Sequence, residues 1–178
     1  MKLFGRQLYF NFEHFIFEYK VLKKSHCVNF LVEKIGDQNI NEIDMGYFRI
    51  SMLNNVLKKN KQRAEGFLFR NESDLRAVGF VLLAYKGAKE IHYKIRNTDA
   101  YIVALGVMPS YRGKGFSQDI LSYTANLCYS KGYKSIKLAV DSNNTPAINS
   151  YKKFGFVFLE TRTFKRFLGM DFLKDKNL

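Results

Sequence analysis

Two cysteines, two prolines and no tryptophan occur in 178 residues. Two cysteines cannot build a multi-bridge disulfide framework, and Cys27 and Cys128 show no metal-site spacing, so they read as free thiols of a reducing compartment. Long apolar runs are also missing. The longest, Val78 to Tyr85, is strand-sized, well short of the roughly 18 residues a membrane span needs. Lys2 and Arg6 are followed by Glu13, His14 and Glu18 instead of an apolar leader core, so a cytoplasmic protein with no membrane partner is expected. Acid is scarce: 16 Asp and Glu face 29 Lys and Arg, a net charge of +13. Such a field attracts anions, including phosphorylated cofactors and nucleic acid, without choosing among them. The charge is spread along the chain, and its small concentrations at Lys58 to Arg63 and at Lys152 and Lys153 read as solvated faces. Basic residues interleave with aromatics near the N-terminus, but no nucleic-acid motif is present, so no specific nucleic-acid partner is expected. What is there is a globular composition, 47% hydrophobic and 25% charged, which excludes a disordered or collagenous chain.

No repeat or Pro/Gly/Ser-rich linker divides the chain, so residues 1–178 read as one domain, with 171–178 a mobile tail. Residues 1–27 are aromatic-rich. In Gln7 to Val21, Leu8, Phe10 and Phe12 share one parity and Phe15, Phe17, Tyr19 and Val21 the other, which predicts two strands joined near Glu13-His14. The alternative is an arm on a second subunit, making a homodimer. Val28 to Ile35 reads as a strand, Tyr47 to Lys59 as a helix, and Gly66 to Arg70 and Leu75 to Tyr85 as strands. Glu90 to Asp99 is ambiguous. Tyr101 to Met108 is an apolar strand. Phe116, Ile120, Leu121, Thr124, Leu127 and Cys128 then fall at helical spacing, with Gly132 as the stop. Ile136, Leu138 and Val140 alternate as a strand. Pro146 suits the first turn of a further helix, with Asn144 or Thr145 as its cap and Gly155 as its end. Phe156 to Phe164 closes the chain. The fold class is α/β, an α+β mixed sheet with a largely antiparallel front half and a right-handed crossover joining two parallel strands.

The segment from Leu105 to Ser117 carries chemistry. An apolar strand runs into a loop with Gly113, Gly115, Arg112 and Lys114, and then into a helix beginning near Phe116. Such a loop offers backbone N–H groups at a helix N-terminus, which suits a phosphate or pyrophosphate. The Walker spacing fails, because Gly106 is six residues before Gly113-Lys114-Gly115 and no Ser or Thr follows the lysine. A dinucleotide G-x-G-x-x-G would need glycine where Gln118 stands. The coenzyme A pattern R/Q-x-x-G-x-G/A matches at Arg112 and Gly115, with Ser117 at its third position.

With the lead-in Val107-x-Pro109-x-Tyr111-Arg112-Gly113-Lys114-Gly115 and the later Asn144-x-x-Ala147-x-x-x-Tyr151-x-x-x-Gly155-Phe156, the stretch from Tyr101 to about Phe164 resembles the GNAT superfamily of acetyl-CoA-dependent N-acyltransferases. The resemblance implies a strongly twisted sheet with a splayed parallel pair, flanking helices, acetyl-CoA as cosubstrate and no metal. It makes the segment before Val28 an addition to the common core. It implies a bulge near Gly106 and backbone groups of Leu105 and Val107 facing pantetheine, the Val107 N–H polarising the thioester carbonyl. Amides from Gly113 through Lys114, Gly115 and Phe116 to Ser117 would hold the pyrophosphate, with Arg112 and Lys114 assisting. Asn144 would bind pantetheine or only cap its helix. Tyr151 would protonate the leaving thiolate, or be only core. The reaction implied is direct attack by a primary amine in a ternary complex. The strand Tyr101 to Met108 contains no acid, which departs from the family pattern and leaves the base among Asp99, Glu90, His92, Asp141 and water. Two other readings stand beside this one: a non-catalytic acyl-CoA-binding or sensor domain, and a nucleic-acid-binding module.

Overall fold

The computed structural model describes residues 9–22, 30–43, 50–89, 91 and 93–167. The segment 171–178, Glu90, His92 and Cys27 lie outside them. Strands β1 (Tyr9–Lys20), β2 (Phe30–Lys34), β3 (Ala64–Asn71), β4 (Ala77–Ala84), β5 (Asp99–Val107), β6 (Ser135–Asp141) and β7 (Val157–Phe167) form one sheet in the order β2-β3-β4-β5-β6-β1-β7. Helix α1 (Ile50–Lys59) lies on one face; α2 (Phe116–Ser130) and α3 (Thr145–Phe154) lie on the other. Every described pairing is antiparallel except β5 with β6.

Burial follows from the pleat. Residues of β4 are buried on both faces, Val81 and Leu83 against the α2–α3 side and Phe80 and Leu82 against α1, which explains an apolar run without alternation. Helix α2 buries Ile120, Leu121, Thr124, Ala125 and Cys128, and the Thr124 hydroxyl donates to the Ile120 carbonyl (2.7 Å), so its polarity is satisfied inside. Burial pushes the Cys128 thiol up to about 12, with Glu65 adding to the effect, so this cysteine stays a protonated core residue.

The aromatic N-terminal segment differs from the reading given above. It is one strand, not two, and it runs inside the sheet between β6 and β7. Phe15, Phe17 and Tyr19 face the α2–α3 side, with Phe17 and Tyr19 in the main core, while Ile16 is fully buried on the other face. The irregularity lies in β7: Ile16 pairs with Glu160 but Phe17 pairs with Phe158, leaving Leu159 extra. The segment thus enters the sheet as a strand of its own. It satisfies the ladder groups of two strands that would otherwise present unpaired edges.

The position of α2 depends on Gly79. A Cβ added there would lie 2.5 Å from the Gly106 carbonyl oxygen and 2.7 Å from Ile120 Cδ1. The carbonyl belongs to the β4–β5 ladder and cannot retreat freely. Gly79→Ala should therefore lower stability by about 1–3 kcal/mol, the usual cost of overpacking. Urea unfolding would show it, and an unchanged midpoint would contradict the close approach.

Candidate active site

Strands β5 and β6 pair only from Asp99–Ser135 to Ile102–Leu138. Beyond that point β5 continues to Val107 beside β4, and β6 continues to Asp141 beside β1, so the two parallel strands part. The bulge that accompanies the parting is at Val103, not near Gly106. Leu82 pairs with Ala104 and Leu83 with Ile102, so Val103 is the extra residue, whereas Gly106 pairs regularly with Phe80. The reason is a change of face. Before the bulge Ala100 and Ile102 face α2 and α3; after it Leu105 and Val107 do so, and Ala104 turns to the α1 side.

The ladder fixes where the freed backbone groups point. The Met108 N–H donates to the Val78 carbonyl (2.8 Å), so Met108 and Gly106 turn their polar groups toward β4. In an antiparallel pair the alternate residues turn theirs away. The N–H and C=O groups of Leu105 and Val107 therefore face the opening. The Val107 carbonyl confirms this direction by accepting from Arg112 Nε at 3.2 Å.

At the head of α2, Gly113 and Gly115 have φ of +76° and +88°, a region costly for residues with a Cβ. A Cβ at either would meet nothing within 4 Å. The loop is thus open in front, and its glycines serve backbone conformation, not packing against the protein. Among the described residues no protein acceptor is recorded for the amides of Gly113 to Ser117, while the Gln118 N–H closes the first turn on the Gly115 carbonyl (2.8 Å). The loop is held from behind. Phe116 packs against Phe30 and Tyr111 (ring centroids 5.4 and 5.6 Å), and Lys114 lies over the Tyr111 ring at 5.6 Å. Ser117 has an internal partner: its hydroxyl accepts from Ser150 Oγ (2.9 Å), and Gln118 Nε2 donates to the Ser150 carbonyl (3.0 Å), joining the starts of α2 and α3.

Helix α3 begins as its sequence suggests. Asn144 caps it, Oδ1 accepting from the Ala147 N–H at 3.2 Å, and Gly155 ends it at φ +111°. One turn before that end, Tyr151 is only 8 % exposed and packs on Phe156 (5.6 Å) and the apolar groups lining the parted strands. Burial, and then the Tyr101 phenol, pushes the Tyr151 hydroxyl up to about 12. Tyr101 was not singled out by sequence. It faces the opposite side of the sheet, stacked on Tyr93 (5.3 Å, 11°), and its hydroxyl accepts from the Ala139 N–H of β6 just beyond the last β5–β6 pair. Burial and Tyr93 push it up to about 12. The only sequence signal was a lone tyrosine in an apolar strand, and its face is readable only once the bulge is located.

A parted parallel pair, amides facing the gap and a glycine loop at a helix head occur together. The Acetyltransferase (GNAT) family model matches residues 30–156, more than half of the chain. The chain belongs to the GNAT acetyltransferase family. Among curated GNAT relatives, it is 38% identical over 63 residues to N-alpha-acetyltransferase 50 of Danio rerio, covering 35% of this chain and 38% of that one. It is 27% identical over 113 residues to mycothiol acetyltransferase of Renibacterium salmoninarum, covering 64% and 32%. The chain spans roughly a third to two-fifths of the length of the curated relatives it matches. A GCN5-related N-acetyltransferase from Sphaerobacter thermophilus shares the fold at TM-score 0.62 and 13% identity, covering 91% of this chain and 54% of that one. Aminoglycoside N-acetyltransferase AAC(6')-Iy in complex with CoA does so at TM-score 0.58 and 15% identity, covering 78% and 99%. The GNAT sheet brings one described carboxylate among the base candidates to the parted strands. Asp141 ends β6 there, its Oδ1 accepting from the Asn143 N–H at 2.9 Å. Asp99 lies at the paired end instead. It is 4 % exposed, accepts from Thr98 and Ser135 hydroxyls (3.0 and 2.9 Å), and pairs with Lys137 at 3.7 Å.

Proposed function

We propose that this GNAT domain moves the acetyl group of acetyl-CoA to a primary amine by direct attack within a ternary complex. The observation that carries the reading is the parted β5–β6 pair with Leu105 and Val107 amides facing the gap, next to an open glycine loop at the head of α2. Leu105 and Val107 would pair with the pantetheine amides as an added strand, and the Val107 N–H would polarise the thioester carbonyl. The amides of Gly113 to Ser117 would hold the pyrophosphate, with Arg112 and Lys114 adding charge. Both side chains are exposed at the loop, and the net charge of +13 favours an anionic cosubstrate. Tyr151 would donate to the departing sulfur. Since its hydroxyl is pushed up to about 12, it remains protonated across the neutral range and loses its donor function only as pH rises through that value. Asn144 acts as helix cap, which fixes where α3 begins.

The test is thiol release from acetyl-CoA with a panel of primary amines, beside a calorimetric titration. Tyr151→Phe should keep CoA affinity within about threefold and lower kcat at least tenfold, the low end of what a positioned acid contributes. Any basic limb of the pH profile below about pH 10 should persist in this variant, because it does not belong to Tyr151. Binding without turnover of any amine would instead support an acyl-CoA sensor.

A further inference from the structure

The inserted strand β1 brings one ionisable group to the parted strands that the sheet would otherwise lack. Because Phe15, Phe17 and Tyr19 face α2 and α3, His14, Ile16 and Glu18 face the other side; the Glu18–Lys137 ion pair (3.2 Å) marks that face. In register, His14 lies directly opposite Asp141 on β6 and opposite Arg162 on β7. Residues so placed share a face with Cβ atoms about 5 Å apart. The row sits three residues beyond Leu138, the last β6 residue paired with β5, and so at the level of Leu105 to Val107. His14 is half-buried, with Nδ1 on the buried edge of its ring. Helices α2 and α3 occupy the opposite face, and α1 lies over β3 and β4. Tyr93 covers part of the His14 face, its ring 5.8 Å from Lys137 Nζ and 5.0 Å from the Arg162 guanidinium, and Ile16 is fully buried there, while His14 at the Asp141 end is half-buried. With the cosubstrate on the α2–α3 side, an amine coming from the other side would meet His14 and Asp141 beside Tyr93.

We infer that His14, backed by Asp141, is the proton acceptor for the incoming ammonium. This rests on the acetyltransferase reading. The ammonium N–H bond breaks and its proton passes to the His14 imidazole, directly or through one water. The freed nitrogen lone pair forms the C–N bond to the acetyl carbon. The C–S bond breaks, Tyr151 gives its proton to the sulfur, and the second nitrogen proton returns to Tyr151 by way of solvent. The products are the acetamide and the CoA thiol, with one proton left on His14 for release to water. In register, Asp141 on β6 and Arg162 on β7 flank His14; Arg162 bonds Glu160 and lies against Tyr93, and Glu18 pairs with Lys137 four residues along the same face. This supply of base from an N-terminal strand accounts for a β5 that carries no acid beyond Asp99.

Two acceptors separate proton removal from structure. Ethylamine is protonated at neutral pH and needs a base; hydroxylamine is already neutral there and does not. With the parent chain both should release thiol from acetyl-CoA. His14→Gln should lose about a hundredfold in kcat/KM with ethylamine at pH 7 and less than threefold with hydroxylamine, with acetyl-CoA affinity unchanged. Asp141→Asn, which keeps the Oδ1 acceptor for Asn143, should show the same pattern at about tenfold. Raising the pH should recover ethylamine turnover in both variants. Equal loss on the two acceptors would assign His14 a structural role and overturn the inference, as would no loss on either. If the parent binds acetyl-CoA but acetylates neither acceptor nor any amine of the panel, the acetyltransferase reading itself fails, and this inference with it.

Discussion

Gly115→Glu should abolish acetyl-CoA and CoA binding in calorimetry while the chain stays folded. The parent is expected to bind in the micromolar range, about 8 kcal/mol. The substitution acts twice. It puts a Cβ at a φ of +88°, which costs about 1–2 kcal/mol of stability. It also places a carboxylate where the loop amides would face a pyrophosphate. No protein atom lies within 4 Å of the added Cβ, so the fold offers no steric objection and thermal unfolding should shift by only a few degrees. A loss of at least a hundredfold in affinity is expected, since an anion-binding concavity acquires a charge of the wrong sign. Gly115→Ala separates the two effects. It carries the same backbone cost without the charge, and should retain more affinity than the glutamate variant. Equal binding by parent and Gly115→Glu would remove the pyrophosphate from this loop. Unfolding of both variants would mean instead that the loop conformation is part of the fold's stability.

The C-terminal half was legible because its signals are local. Gly113, Gly115, Gly132 and Gly155 mark chain reversals through positive φ, and Asn144 with Pro146 marks a helix start. These depend on single residues whose backbone preferences do not need tertiary context. The bulge was misplaced because glycine is a permissive residue but not an obligatory one in a bulge. Val103 bulges where the sheet changes which face it offers to α2, and only the pairing partner on β4 reveals that. The N-terminal strand was misread for a similar reason. Its parity change suggests a turn at Glu13-His14, yet the ladder to β7 passes through both residues without a break and the ladder to β6 begins at His14. Alternation reports burial, and a strand buried on both faces, as at Ile16 and Phe17, shows little. Tyr101 carries no local signal, and His14 reads from sequence alone as a structural or solvent-exposed residue, because their neighbours come from β6, 38 and more than 100 residues away, a separation no motif spans.

Deleting residues 1–22 should leave an insoluble or unfolded chain instead of a folded monomer. The deletion would expose the β6 and β7 edges together and remove Ile16, Phe17 and Tyr19 from the interior. Loss of one buried aromatic side chain alone costs about 3–5 kcal/mol, comparable with the whole stability of many domains. The sheet geometry also specifies a rescue. Strand β1 runs antiparallel to β7, and Tyr9 lies opposite Phe167, so the end of β7 and the start of β1 are neighbours. A permuted chain that begins near residue 29 and carries residues 9–22 after Phe167, joined by a short hairpin turn, should recover the native far-UV spectrum and cooperative unfolding. It should also recover acetyl-CoA binding, because the loop at the head of α2 depends on the sheet and not on where the chain begins. Binding restored by the permuted chain but absent from the truncated one would establish that β1 acts as a sheet member. A truncated chain that folds and binds unaided would show that β6 and β7 can close the sheet without it.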